Sequence, residues 1–170
     1  MSAVYGGELY RLVEKSLYVH VKDALTDLGW FNPSDAFQNW RFLDYRISDR
    51  EEISQNTATL SLETSSFEPY EMGTNSVSYE RYAYIDVYPQ NASIGKHFLG
   101  DIESILLGAR PDIGLESTSF SVINWSVSDS ALLFNAQIED PVEGSPRNYT
   151  KPYFRDWRTI GFKVRYIPYA

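Results

Sequence analysis

The stretch that decides the fold is residues 77–106, VSYERYAYIDVYPQNASIGKHFLGDIESIL, because its apolar period changes midway. Up to residue 88, apolar side chains alternate with tyrosines and polar residues, which predicts a strand. After the turn residues Pro89 and Asn91, apolar residues recur at steps of three and four until Gly108, which predicts an amphipathic helix. The stretch therefore predicts a sheet with a helix packed against it.

Within this stretch, the pair Gly95-Lys96 raises the question of a phosphate site. A P-loop requires Gly-x4-Gly-Lys-Ser/Thr, because backbone N–H groups wrap the phosphates and the final hydroxyl reaches the magnesium ion. Here Gln90 occupies the first glycine position and His97 occupies the hydroxyl position. The sequence therefore predicts no nucleotide site, and Gly95 is interpreted as part of the first turn of a packed helix that Ser93 can cap.

The flanking regions extend this pattern of helices and strands. Apolar residues at steps of three and four over residues 8–28 predict a first amphipathic helix, which Gly29 ends. Further strands are predicted at residues 42–48, 57–64, 120–127, 132–139 and 157–167. This order predicts an α+β fold, in which two helices pack on one face of a largely antiparallel or mixed sheet.

Two segments between the predicted strands are rich in turn residues. Residues 65–76, SSFEPYEMGTNS, are expected to form a protruding hairpin loop. Residues 140–155, DPVEGSPRNYTKPYFR, are expected to form a long loop or an arm that is ordered only against a partner. The chain of 170 residues is long enough to bury one core, so a single domain over residues 1–170 is predicted.

Composition excludes several classes of protein. The chain has no cysteine, which excludes disulfides, thiolate zinc sites and cysteine nucleophiles. Neither a signal-peptide pattern nor a long uncharged apolar run is present, so we expect no export by a standard signal and no membrane insertion. The 13 tyrosines, nine phenylalanines and four tryptophans supply large side chains for contact surfaces.

Charge is distributed unevenly along the chain, whose formal net charge is -8. Residues 1–143 hold nine Lys or Arg against 22 Asp or Glu, a balance of -13, whereas residues 144–170 hold six against one, a balance of +5. The acidic body argues against a surface built to bind nucleic acid. Opposite patches of this kind can orient head-to-tail association of identical subunits.

No arrangement of residues predicts catalysis or a metal site. The neighbouring carboxylates, such as Glu51-Glu52 and Asp101 with Glu103, lie where solvated turns and helix faces would place them anyway. Neither His20 nor His97 has a second ligand at the spacing of a zinc motif, and no Gly-x-Ser-x-Gly elbow is present. The sequence therefore predicts no catalytic residue, metal or cofactor.

The layout of the chain resembles the tail terminator proteins, also called tail-completion or head-tail joining proteins, of long-tailed bacteriophages. The resemblance lies in an N-terminal amphipathic helix, a hairpin of strands, the tyrosine-rich strand RYAYIDVYPQ, the helix SIGKHFLGDIESILLG and the closing strand DWRTIGFKVRY. It covers most of the chain and depends on the order of these patterns.

This resemblance implies a structural virion protein at the junction of tail and head, assembled in the host cytoplasm. Six copies would form a ring that caps the tail tube protein, ends its growth and joins the head-tail connector or stopper protein. DNA would pass through the lumen without specific binding, and an acidic body would favour that passage by repelling the phosphate backbone. Such a protein is not an enzyme and needs no cofactor or membrane.

Two groups of residues are predicted to make the contacts of such a ring. For axial contact with the tail tube or connector, we choose the loop aromatics Phe67 and Tyr70. For contact between subunits, we choose four residues of the basic segment: Tyr149, Tyr153, Arg155 and Arg158. Alternation along the last predicted strand places Arg158 on its apolar face.

Two other functions remain open at this point. A carbohydrate- or surface-binding module could use the tyrosine-rich strand face, on which Tyr82, Tyr84 and Tyr88 would form a stacking platform. A hydrolase with carboxylate chemistry would require a pair of buried carboxyl groups that face a cleft.

Overall fold

A computed structural model describes residues 6–45, 47, 55–69, 77–126, 131–144 and 158–168. Its two helices are α1 (Gly6–Asp27) and α2 (Ala92–Leu106). Its strands are β1 (Arg41–Leu43), β2 (Thr57–Pro69), β3 (Val77–Tyr88), β4 (Ser119–Ile123), β5 (Leu132–Gly144) and β6 (Arg158–Tyr166). A single 3-10 turn, Pro111–Ile113, lies between α2 and β4.

The six strands form one mixed sheet in the order β1-β2-β3-β6-β5-β4. The pair β1 and β2 is parallel, and all the other neighbours are antiparallel. The predicted α+β class with two helices and a sheet is confirmed. The strand predicted at residues 77–88 agrees with β3 at both ends.

The main core lies between the two helices and one face of the sheet. Alternate residues of neighbouring strands point toward it, so Ile85 of β3 pairs with Leu60 on one side and Ile160 on the other, and all three are buried. From the helices, Leu17 of α1 and Ile102 of α2 are fully buried in the same cluster. We call this side of the sheet the helix face and the opposite side the open face.

Both helices begin and end where local chemistry requires it. Gly29 follows α1 with φ of 94°, and Gly108 follows α2 with φ of 64°, so both adopt the left-handed conformation that ends many helices. The N-cap of α2 is Asn91, whose side chain accepts a hydrogen bond from the Ile94 N–H. The predicted cap, Ser93, lies instead inside the first turn.

Two strands are longer than predicted, which corrects the bounds of both irregular segments. β2 continues to Pro69, so the hairpin loop does not begin at residue 65, and β5 continues to Gly144, so the arm does not begin at residue 140. A register shift lies just before the extension of β2, between Leu62 and Ser65, and another lies at the start of the extension of β5, between Glu139 and Val142. Bulges accommodate turn-like residues without ending a strand, which sequence punctuation alone does not reveal.

The glycine of the Gly95-Lys96 pair serves close packing of α2. A Cβ atom at Gly95 would lie 2.6 Å from Cγ of Pro89, closer than real Cβ contacts allow, whereas a Cβ atom at Gly100 would have no heavy atom within 4 Å. We expect Gly95→Ala to lower the free energy of unfolding by about 1–3 kcal/mol, because the proline ring cannot move aside freely. The control Gly100→Ala should raise it by about 0.5–1 kcal/mol, because alanine is the better helix former. Urea denaturation measures both, and equal effects of the two substitutions would contradict this role of Gly95.

Candidate subunit interface

The two segments predicted to make contacts leave the sheet at opposite ends. The hairpin loop follows the pair Pro69–Val77, next to the end of the sheet where Tyr79 pairs with Tyr166. The arm follows the pair Gly144–Thr159, at the end where Val87 pairs with Arg158. Because β3 contains 12 residues, these two ends are separated by about 35 Å at the rise of a strand.

The residues chosen for axial contact fall only partly within the described structure. Phe67 belongs to the extended part of β2, where its backbone pairs with Tyr79 of β3. Tyr70 lies outside the described residues, so its contact role stays a prediction.

Of the four residues chosen for contact between subunits, the structure describes Arg158 alone. Tyr149, Tyr153 and Arg155 lie outside the described residues. Arg158 is the first residue of β6 and pairs with Val87 on the helix face, as alternation predicts. Its guanidinium is about half exposed, and its Nε lies 3.7 Å from a carboxylate oxygen of Glu143.

Arg158 lines a groove of about 290 Å³ between α2 and the strand ends. The opposite wall is a stripe of α2 that includes Lys96, Leu99 and Glu103. Glu103 is half-buried and Glu143 is exposed, so the carboxylates that line this groove are not the buried pair that a hydrolase would require.

A larger groove of about 390 Å³ lies between α1 and β2. Leu60 and Leu62 contribute to its apolar lining, and Glu14 and Asp44 are its carboxylates. Glu14 forms an ion pair with Arg81, and Asp44 is exposed, so this groove also lacks two buried carboxyl groups.

The basic C-terminal segment is partly neutralised within its own chain. On the open face, Lys163 lies 3.7 Å from Glu80, and Arg165 lies 2.9 Å from Glu80 and 3.4 Å from Glu139. We call these four residues the charge ladder. The hydrogen bond from Arg165, with the positive charges of Lys163 and Arg165, holds the pKa of Glu80 below its ordinary value. These cations are therefore less available to a second subunit than the sequence suggests.

The three tyrosines of the predicted sugar platform do not share one environment. Tyr82 is 44% exposed, Tyr84 is half-buried beside Gly161, and Tyr88 is only 1% exposed. Because Tyr88 is buried, the platform proposed from alternation is wrong as a set of three stacking surfaces. Alternation assigns a residue to a face of the sheet but does not reveal what covers that face.

Part of the open face is buried and polar. Thr59, Asp86 and Thr159 lie side by side across β2, β3 and β6, and none is more than 3% exposed. The Thr159 hydroxyl donates to a carboxylate oxygen of Asp86 at 2.6 Å. Neither helix covers this face, so its burial could not be predicted from helix positions.

Serine hydroxyls fill two donors on the outer edge of β4. The N–H groups that point away from β5 include those of Ser119 and Ile123. They donate to Ser117 Oγ at 3.1 Å and to Ser16 Oγ at 3.0 Å, respectively. Filled donors make an edge strand a poorer template for pairing with another chain, so these two positions do not offer a ready interface, whereas the Ser121 N–H points outward between them.

Arg81 is a structural residue whose role sequence reasoning missed. It lies on the helix face of β3, is 3% exposed and forms an ion pair with Glu14 of α1. The signal in the sequence was an arginine at an inward position of an otherwise apolar alternation. Beside it, burial raises the pKa of Tyr166 to about 12.

The two histidines are not arranged as the ligands of a zinc site. His97 is exposed in the first turns of α2, and His20 packs between α1 and β4. Among the residues that the structure describes, no group of three or more His, Cys, Asp or Glu side chains could hold a metal ion. The same part of the chain contains no helix that is long and apolar enough to span a membrane.

Comparison with known proteins leaves the family undetermined. No model of a protein family matches the chain, and no functionally curated protein matches it.

Proposed function

We propose that the chain is a structural virion protein of the phage neck, a ring subunit that terminates the tail tube and joins it to the head connector. The observation that carries this proposal is that the two segments predicted to make contacts follow strand pairs at opposite ends of one sheet. A ring subunit needs separate patches for its axial neighbour and for the next copy around the ring, since head-to-tail contacts join unlike surfaces.

The charges of the chain support the same proposal. The acidic balance of residues 1–143 suits a wall past which DNA moves without binding. Lys163 and Arg165 are occupied by the charge ladder, so we assign the contact with a neighbour to the cations of the arm, Arg147, Lys151 and Arg155. The family resemblance suggests that the ring contains six copies of the chain.

Electron microscopy of the purified protein mixed with its tail tubes tests this function. Rings seated at one end of the tubes are expected. Tubes that stay bare at saturating protein would contradict the proposed role, and saturable sugar binding on a glycan array by a monomer would favour the alternative module.

The interface residues are tested by reversing charge in the arm and at the start of β6. We expect Arg155→Glu with Arg158→Glu to reduce the fraction of capped tubes by about tenfold or more, because charge reversal opposite an acidic patch costs several kcal/mol. The matched control is Lys163→Glu with Arg165→Glu, which makes the same charge change on the charge ladder, outside the predicted interface. If both double variants lost capping equally, the assignment of the interface to Arg155 and Arg158 would be wrong.

A further inference from the structure

Two consecutive turns of α1 contact the edge strand β4 and the residues that follow it. The hydroxyl of Ser16 accepts hydrogen bonds from the Ile123 N–H at 3.0 Å and from the Trp125 indole N–H at 3.1 Å. One turn further along α1, the ring of His20 packs on Phe120, with 5.7 Å between the ring centroids. We call this contact the α1–β4 seam.

His20 is placed so that only its neutral form suits the seam. Its Nε2 atom is buried and has no hydrogen-bond partner among the residues that the structure describes. In the neutral ring this position can be a bare lone pair, whereas the protonated ring places an N–H there that has no acceptor. A buried charged donor without a partner is costly.

The charges around His20 do not offset this cost. Burial lowers the pKa of His20, and the negative charge of Asp23, on the next turn of α1, opposes that effect without cancelling it. From the sheet side, β4 presents Phe120 and contains no titratable side chain at all, since its sequence is SFSVI. Among the residues that the structure describes, Asp23 is therefore the charged group that acts on His20 in this seam.

We propose that protonation of His20 releases α1 from β4 and opens the outer edge of the sheet. With the seam loosened, Ser16 no longer holds the Ile123 N–H, and the edge of β4 gains a free donor that another strand can use. The seam is thus a proton-sensitive latch on the sheet edge. This inference is independent of the proposed role in the phage neck.

The sign of the pH effect follows from the two protonation equilibria. In the unfolded chain His20 titrates near its ordinary pKa of 6.5, whereas in the folded chain its pKa is lower. Between these values the unfolded or locally open form binds more protons, so stability falls as pH falls. Above pH 6.5 the latch is closed and this effect vanishes.

Hydrogen exchange measured by NMR at about pH 7.5 and about pH 5.5 tests the latch. The Ile123 amide and the Trp125 indole report on the seam, and the Asn124 amide, which donates to the Ala131 carbonyl on the β5 side, is the internal control. After correction for intrinsic rates, we expect the protection of both seam protons to fall by about tenfold at the lower pH while Asn124 keeps its protection.

Two variants test whether His20 causes the loss of protection at the lower pH. His20→Phe keeps an aromatic ring against Phe120 but cannot be protonated, so its seam protons should keep their protection at both pH values. His97→Gln removes the exposed histidine and should behave as the unmodified chain does. The latch is refuted if the unmodified chain keeps seam protection at the lower pH, if Asn124 loses protection equally, or if His20→Phe shows the same fall.

Discussion

Replacing Phe98 by alanine is expected to lower the free energy of unfolding by about 3–5 kcal/mol, the range for truncation of a buried aromatic ring. Phe98 is fully buried on α2, and its ring stacks on Trp40 with 3.9 Å between centroids and 3° between planes. The edge of a second indole, that of Trp30, meets the same ring at 5.0 Å. Trp30 and Trp40 belong to the connection between α1 and β1. The substitution therefore removes the aromatic packing of that connection against α2.

Urea denaturation followed by circular dichroism measures the loss, and Leu107→Ala is the matched control. Leu107 directly follows α2 and is 55% exposed, so its truncation should change stability by no more than about 0.5 kcal/mol. A Phe98→Ala variant as stable as Leu107→Ala would show that the three aromatic rings do not form one packed unit.

Replacing Arg81 by alanine is expected to lower the free energy of unfolding by about 2–5 kcal/mol, the range for truncating a long buried side chain, because Arg81 is 3% exposed although its ion-pair partner Glu14 is about half exposed. The guanidinium donates to the backbone carbonyl of Glu63 at 3.2 Å, to that of Tyr10 at 3.3 Å and to the carboxylate of Glu14. It also lies over the ring of Tyr10, 4.5 Å from the centroid. Removal of this side chain leaves a cavity. It also leaves the backbone carbonyls of Glu63 and Tyr10 without the guanidinium donor.

Two further variants show whether the geometry of Arg81 matters beyond its charge. Arg81→Lys should still cost about 2 kcal/mol or more, because an ammonium group cannot reproduce the planar fork that reaches three acceptors. Arg165→Ala is the control, since Arg165 is about half exposed and its ion pairs on the charge ladder should contribute no more than about 1 kcal/mol. Equal losses from Arg81→Ala and Arg165→Ala would contradict the anchoring role of Arg81.

These two sites show which features the sequence pattern could identify. Phe98 follows from helical spacing, and the structure confirms that it is buried. Arg81 was assigned to the correct face of β3 by alternation, but its partners on α1 could not be found, because they are more than 65 positions away in the sequence. Asp101 is a similar case: it was interpreted as a solvated carboxylate, and it accepts hydrogen bonds from Trp30 and Arg110.

The residues predicted to make contacts show more strongly what the sequence pattern cannot predict. Phe67, Tyr70, Tyr149, Tyr153 and Arg155 were chosen because aromatic and basic residues in turn-rich segments suit contacts. That argument concerns composition; of these five residues only the backbone of Phe67 lies within the described structure, where it pairs with Tyr79. Arg158 is the contact residue whose side chain the structure describes, and it lines a groove with an acidic partner in its own chain.

Periodicity by itself determined that this protein is an α+β fold, that β3 spans residues 77–88 and that two helices pack on the sheet, since spacing along the chain dictates which side chains share a face. Only the tertiary structure decided that Tyr88 and Asp86 are buried on the open face, that the charge ladder neutralises Lys163 and Arg165, and that Ser16 of α1 fills a donor on the outer edge of β4. The physical reason is that burial and pairing depend on contacts between residues far apart in sequence, and local spacing contains no information about which distant element will cover a given face.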